Sequence, residues 1–129
     1  MGNGTELGRV RALGSAHTGA HHWLLQRYTA IGNLLTGLYL FLWLLAKGDY
    51  SYASIHRWLH APLPALLAGL FVLSTFWHAR LGLQVLVEDY VHEHANKFAA
   101  MAALNLLTFA GAAFGLLSVA RIALGASLP

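Results

Sequence analysis

Long apolar runs, separated by short polar stretches, dominate the pattern of hydrophobic and polar positions along this chain. Three runs stand out, over residues 28–46, 62–87 and 98–120. A bilayer core needs roughly 20 helical residues, so each run is long enough to cross it once. The second run exceeds that need, and we expect its end to tilt or to emerge among the lipid headgroups. No alternation with a period of two competes with the helical interpretation.

Composition indicates that the surrounding solvent is a membrane. Of the 129 residues, 57% are hydrophobic and 10% are charged, whereas an ordinary soluble domain carries roughly 25% charged residues. The length suits one domain, over residues 1–129. A soluble domain of that size could not bury so much apolar surface. The sequence therefore predicts an all-α membrane protein with three transmembrane helices.

The first 29 residues are polar and glycine-rich, and they lack the apolar core of a secretory signal peptide. We interpret them as a short amphipathic arm on the cytoplasmic surface. This arm carries three arginines, and Lys97 follows the second run. Because cytoplasmic loops are enriched in Lys and Arg, the sequence predicts a cytoplasmic N terminus. Residues 88–97 then lie on the cytoplasmic side and residues 47–61 lie outside.

Two features limit the chemistry that this chain can perform. It contains no cysteine, which excludes disulfides, thiol catalysis and cysteine-ligated iron–sulfur clusters within the chain. Its net charge of +3 is spread thinly, whereas nucleic-acid binding requires a clustered basic face. We therefore expect no catalytic residue of its own and no nucleic-acid partner.

The third run contains Gly111 and Gly115, four residues apart with alanines between them. Small residues at that spacing let two membrane helices approach closely. Glycine and alanine are also simply common in membrane helices, which is the other interpretation. Three helices with small faces make a poor self-contained bundle, so the sequence implies a partner subunit.

His78 lies within the second run, deep in the predicted membrane span. An ionisable group at that depth is costly and usually functional. Neutral imidazole is a ligand for haem iron, and Gly82, one turn later, leaves room for a flat macrocycle. A histidine hydrogen-bonded to a neighbouring helix is the alternative interpretation.

Asp89 and Tyr90 follow at the end of the same run. Asp89 comes 11 residues after His78, which in a continuous helix returns it to within roughly 20° of the same direction, about 16 Å along the axis. A phenol beside a carboxylate can donate a polarised hydrogen bond to a quinone carbonyl. An ordinary helix end with solvated charges is the competing interpretation.

The remaining polar positions are more ambiguous. Arg27 can snorkel to lipid phosphates or reach an anionic group of a cofactor. His56 and His60 have the spacing of a metal-binding pair, but they fall in an interfacial loop with a tryptophan between them. His92 and His94 point to different sides of a helix, so chelation by this pair is not expected.

The stretch "HARLGLQVLVEDYV", residues 78–91, resembles the pattern H-x-x-x-G-x-x-x-x-x-x-D-Y-V of the small D-type membrane anchor of succinate dehydrogenase, respiratory complex II. The stretch "WLLQRYTA", residues 23–30, is similar to the segment that opens the first helix of that family. The resemblance covers roughly residues 17–120. Arg80 departs from it, because many relatives carry a bulky apolar residue there, and "HEHANK" lacks a proline that some relatives have.

The resemblance implies a heterotetramer of a flavoprotein subunit with FAD, an iron–sulfur subunit and two anchors, C and D, each with three membrane helices. It makes His78 one axial ligand of haem b, with the second histidine supplied by the C anchor. Tyr90 then corresponds to the tyrosine that hydrogen-bonds ubiquinone, and Asp89 to the acid beside it. Arg27 corresponds to an arginine near the haem propionates and the quinone pocket.

By that resemblance the chain is an anchor subunit of succinate:ubiquinone oxidoreductase in a bacterial inner membrane. Electrons from succinate would pass through flavin and iron–sulfur clusters in partner subunits to ubiquinone at the cytoplasmic edge. A fumarate reductase anchor, with the reverse flux, is the nearest alternative. A haem-free transport or assembly protein, in which His78 and Asp89 relay protons, is an alternative from another class.

Overall fold

The computed structural model describes residues 16–125, with side chains from residue 19 onward. Within this part the chain forms four helices and no strand, and three of the helices are long and apolar enough to cross a membrane. The predicted all-α fold with three transmembrane helices is therefore confirmed. The helices are α1 (Ala16–Lys47), α2 (Tyr52–Leu59), α3 (Pro62–Tyr90) and α4 (His94–Ala123).

The helices extend beyond the apolar runs that predicted them. Helix α1 begins at Ala16, so residues 16–27, which the sequence assigned to the N-terminal arm, continue the first spanning helix. Residues 1–15 of the predicted arm lie outside the described residues. Helix α3 continues to Tyr90. Helix α4 begins at His94, where the side chain of Glu93 caps it by accepting from the backbone N–H groups of Ala95 and Asn96.

Helix α3 is the middle helix of a row. It packs against α1 on one flank and against α4 on the other, and α1 does not approach α4 in the part of the chain described. In the most apolar stretch of each span, only 6%, 6% and 11% of the positions are buried inside the chain. The two broad faces of the row are therefore left to lipid or to another protein.

The flank between α3 and α4 is closed by side chains of α3 that pack against glycines of α4. A Cβ atom at Gly115 would lie 2.6 Å from Val72 Cγ1, and one at Gly111 would overlap the ring of Phe76. The close approach that these glycines predicted is confirmed, and the helix that approaches is α3 of the same chain. Leu81 of α3 is the most buried side chain, at 2% exposure.

Helices α1 and α3 run antiparallel, so the ends of the spans collect at two membrane edges. Gln26 lies beside Gly82, and Gly19 lines one cavity with Glu88. We call residues 16–22 together with 85–97 the first edge. The opposite ends, residues 44–64 together with 118–125, form the second edge.

Helix α2 covers the second edge, where the sequence predicted a loop. Ser51 caps it by accepting from the backbone N–H of Ser54. The backbone N–H of Ser51 donates in turn to Asp49 over 2.9 Å, and this bond lowers the pKa of that carboxyl. Trp58 of α2 stacks on Trp43 of α1 with ring centroids 3.7 Å apart, and tryptophan is enriched at membrane interfaces.

Candidate functional site

A stripe of polar side chains runs along the face of α1 that meets α3. Its members recur at alternating spacings of four and three residues, which places them on one face of a helix. Each is half-buried or buried, while the leucines between them are mostly exposed. The helix thus turns its polar side inward, the reverse of a soluble amphipathic helix. The stripe consists of His22, Gln26, Thr29, Asn33 and Thr36.

Helix α3 presents hydrogen-bonding groups to this stripe. His78 Nδ1 lies 3.0 Å from Thr29 Oγ1, and Ser74 Oγ donates to the carbonyl oxygen of Thr29 over 2.9 Å. Near the middle of the row, Thr75 Oγ1 donates to Asn33 Oδ1 over 3.2 Å. The flank between α1 and α3 is therefore held by polar contacts, two of which meet at Thr29.

His78 is half-buried and uses one ring nitrogen against α1. The bond to a neighbouring helix that the alternative interpretation predicted is therefore present. It engages Nδ1 alone, and Nε2 makes no hydrogen bond to the described residues. The two interpretations of His78 are thus compatible, since a hydrogen bond through one nitrogen leaves the other free to act as a ligand.

Two polar atoms of the stripe are buried without a hydrogen-bond partner among the described residues, His22 Nε2 and Gln26 Oε1. Buried polar atoms are normally paired, so an unpaired one calls for a water, an ion or a ligand. A Cβ atom at Gly82 would lie 3.8 Å from Gln26 Nε2, an ordinary contact distance, so the Gln26 side chain lies against α3 at this level and the predicted room for a macrocycle beside Gly82 stays a prediction.

A cavity of about 290 Å³ opens nearby at the first edge. His22 and Gly19 of α1 and Gln84 and Glu88 of α3 line it. Gln84 Nε2 donates to Glu88 Oε1 over 2.8 Å. The polar interface between α1 and α3 therefore continues from His78 to the membrane edge.

Asp89 and Tyr90 end α3 at this first edge, and both are exposed, Tyr90 by 77%. Helix α3 is continuous from His78 to Tyr90, so the condition for His78 and Asp89 to face the same side is met. They are separated by about 16 Å along the helix axis. The structure therefore does not gather them into one cluster: His78 lies deep, and Asp89 and Tyr90 lie at the edge.

The other singled-out residues lie apart from His78. Arg27 is exposed, with its guanidinium 5.3 Å from the centroid of the Trp23 ring, and it falls outside the stripe, two residues before Thr29. His56 lies in α2 and His60 at its C-cap. Among the described residues, no group of three or more His, Cys, Asp or Glu side chains could hold a metal ion.

Sequence reasoning missed the partners of His78. Thr29 and Ser74 were not singled out, and the histidine-rich start of α1 could not be interpreted. The alternating spacing of polar residues through an apolar run was a usable signal, because a membrane helix buries its polar face against another helix. The sequence did not indicate which helix would meet that face.

Comparison with known proteins bears on what this arrangement serves. Residues 1–112 match the family described as Succinate dehydrogenase/Fumarate reductase transmembrane subunit. The chain belongs to this family. The succinate dehydrogenase hydrophobic membrane anchor subunit of Rickettsia bellii (strain RML369-C) is 38% identical over 86 residues, covering 67% of this chain and 69% of the relative.

A second relative extends the match along nearly the whole chain. The succinate dehydrogenase hydrophobic membrane anchor subunit of Paracoccus denitrificans is 30% identical over 118 residues, covering 91% of this chain and 90% of the relative. The resemblance to a succinate dehydrogenase anchor is thereby confirmed. As a membrane-anchor subunit of this family, the chain is a multi-pass membrane protein and one part of an enzyme complex, with other subunits of that complex as its partners.

Proposed function

We propose that this chain is the D-type anchor of a succinate:ubiquinone oxidoreductase, that it supplies one axial ligand of haem b through His78, and that it lines the ubiquinone site with Tyr90 and Asp89. The observation that carries the proposal is the divided use of the His78 ring. Its Nδ1 meets Thr29 at 3.0 Å while Nε2 makes no bond within the described residues.

The residues around His78 fit a haem. The imidazole is half-buried inside a membrane span, and Gly82, one turn further along α3, has the unbranched side chain of Gln26 as its neighbour. Unpaired buried atoms of His22 and Gln26 lie on the same face of α1. Because only two other spans flank α3 in the described residues, a second anchor could reach the row and supply a second histidine. A bound haem would provide a one-electron carrier between the two anchors.

The end of α3 suits a quinone headgroup. Tyr90 and Asp89 are exposed where α3 leaves the hydrocarbon, and a phenol carries an O–H donor. Its O–H can therefore donate to a quinone carbonyl and stabilise the negative charge that develops there on reduction. Asp89 polarises or orients this donor from the adjacent position. Arg27, which follows Gln26 at the level of Gly82, is a candidate for an anionic cofactor group such as a haem propionate.

In this proposal the first edge faces the cytoplasm of a bacterial inner membrane. The iron–sulfur and flavoprotein subunits, with their clusters and FAD, dock there beside the C anchor, and lipid covers the remaining faces. The exposure of Tyr90 and the cavity beside His22 leave this edge open for them. The second edge is already covered by α2, which supports the choice of the first edge.

An oxidised-minus-reduced difference spectrum of the purified membrane complex tests the class of function. We expect the bands of a low-spin b-type haem, together with electron transfer from succinate to ubiquinone. A complex without haem bands that instead transports a solute would contradict the proposal and favour the haem-free alternative. Comparing the rates of succinate oxidation and fumarate reduction would identify a fumarate reductase anchor.

Tyr90→Phe tests the quinone assignment, because it keeps the ring and removes only the hydroxyl. Loss of one such donor lowers the rate of quinone reduction by about 10²-fold. Succinate oxidation with an artificial acceptor that bypasses the quinone site should be unchanged in the same membranes, as should haem content. Quinone reduction at the wild-type rate would exclude the hydroxyl as the donor.

A further inference from the structure

We infer that Thr29 is a positioning residue for His78: its hydroxyl oxygen accepts the Nδ1–H proton, which fixes the ring orientation and leaves Nε2 as the unprotonated ligand nitrogen. This inference rests on the proposed haem ligation. It deepens that proposal by assigning a role to a residue of α1 in a site whose ligand lies on α3.

The Thr29 hydroxyl has a single proton to donate. Thr29 Oγ1 lies 2.8 Å from the carbonyl oxygen of Leu25 and 3.2 Å from that of Gln26. Carbonyl oxygens only accept hydrogen bonds, so the hydroxyl proton is directed to them. The lone pairs of Oγ1 then remain for the third neighbour, His78 Nδ1 at 3.0 Å. With the hydroxyl proton on those carbonyls, the imidazole donates, and its neutral form carries the proton on Nδ1.

Helix α3 also holds the backbone of Thr29 in position. Its carbonyl oxygen accepts from Ser74 Oγ over 2.9 Å, and Ser74 precedes His78 by one helical turn on α3. Gly32 lets α3 come close at this level, since a Cβ atom there would lie 2.9 Å from Ser74 Oγ. Thr29 is thus held by two hydrogen bonds to α3, one to Ser74 and one to His78, a helical turn apart. These bonds fix the position of α1 along the axis of α3 relative to the His78 ring.

The hydrogen bond from His78 to Thr29 would change the properties of a metal bound by His78. A ligating histidine normally donates its other N–H to an acceptor, which fixes the tautomer and raises the basicity of the ligand nitrogen. A more basic nitrogen stabilises the oxidised iron relative to the reduced iron. Removing the Thr29 hydroxyl should therefore raise the haem midpoint potential and weaken haem retention.

The experiment uses the assembled complex with Thr29→Val, which keeps the shape of the side chain and removes the hydroxyl. We expect a more positive haem potential in a redox titration. Haem affinity, measured by transfer to excess apomyoglobin, should fall about 10- to 100-fold. Thr29→Ser retains a hydroxyl and should restore both values.

Thr36→Val is the matched control on the same helix. Thr36 is buried at 9% exposure, and its hydroxyl bonds the carbonyl of Gly32 over 2.6 Å, but no hydrogen bond joins it to a side chain of α3 within the described residues. This variant removes an equivalent local bond without touching the imidazole. Haem potential and retention in Thr36→Val should match the wild type.

The outcomes separate this inference from the proposed function. If the wild-type complex holds no haem, the haem assignment itself fails. If haem is present and Thr29→Val matches Thr36→Val in both potential and retention, haem binding stands and the role of Thr29 is refuted. Should Thr29→Val not assemble, Thr29→Ala provides the same measurements. Failure of both to assemble, with Thr29→Ser normal, would assign Thr29 a structural role and overturn the inference.

Discussion

Helix α3 meets its two neighbours in different ways. Toward α1 it presents Ser74 and His78, which bond to Thr29. Toward α4 it presents Val72 and Phe76, which pack against the glycines of α4. Lipid tails are as apolar as these side chains, so burial of apolar surface does not drive the helices together. Close packing holds the α4 flank. The α1 flank also packs closely, with Phe71 against Gly37, and it adds hydrogen bonds that meet at Thr29.

The difference is consistent with the proposed role of the α1 flank. A hydrogen bond between membrane helices contributes about 0.6 kcal/mol on average, whereas polar groups in the membrane interior are expensive to keep. The α1 flank therefore carries more polar groups than stability requires. One charged group lies on the other flank: Arg80 Nε donates to Asn105 Oδ1 over 2.7 Å, and its guanidinium lies 5.5 Å from the centroid of the Trp77 ring. Thr108 of α4 is buried as well, at 6% exposure.

The largest expected effect is obtained by removing the partner subunits. Neither flank covers the broad faces of the row, so the chain expressed alone should be degraded or aggregate. Co-expression with the C anchor should restore it to the membrane. Immunoblots of membrane fractions measure both. A solo chain that is stable, monodisperse and free of haem would show that the two flanks suffice without a partner.

A smaller effect is expected from Gly111→Ala on the α4 flank, where the added methyl group overlaps the ring of Phe76. Overpacking of this kind costs about 1–3 kcal/mol. Gly69→Ala is the matched control on the same flank, since its Cβ would lie 3.6 Å from Leu116 Cδ2, an ordinary contact. Thermal unfolding of the purified complex should show a lower midpoint for Gly111→Ala only. Equal midpoints would mean that close packing does not hold this flank.

The smallest effect is expected from Thr75→Val on the α1 flank, which removes the bond to Asn33. The loss should be about 0.6 kcal/mol, the average for such bonds in membranes. Assembly, haem content and quinone reduction should all stay at wild-type levels, as measured in isolated membranes. A loss as large as that of Gly111→Ala would overturn the distinction between the two flanks.

The sequence predicted the three spans because a bilayer imposes a length and a composition that apolar runs record directly. It did not predict α2, whose eight residues are amphipathic and lie between two spans. It singled out His78, Asp89 and Tyr90 through their spacing, and their roles stay predictions. Thr29 was not singled out, because its proposed role depends on which helix faces His78. The sequence alone does not show that pairing of helices.

The central claim is that His78 is a ligand of haem b while its neighbours on α1 orient it. The most direct measurement is the difference spectrum and redox titration of the assembled His78→Ala complex beside the wild type. We expect the low-spin b-type signal to be lost or altered, while succinate oxidation with an artificial electron acceptor continues. An unchanged spectrum and an unchanged midpoint potential would contradict it.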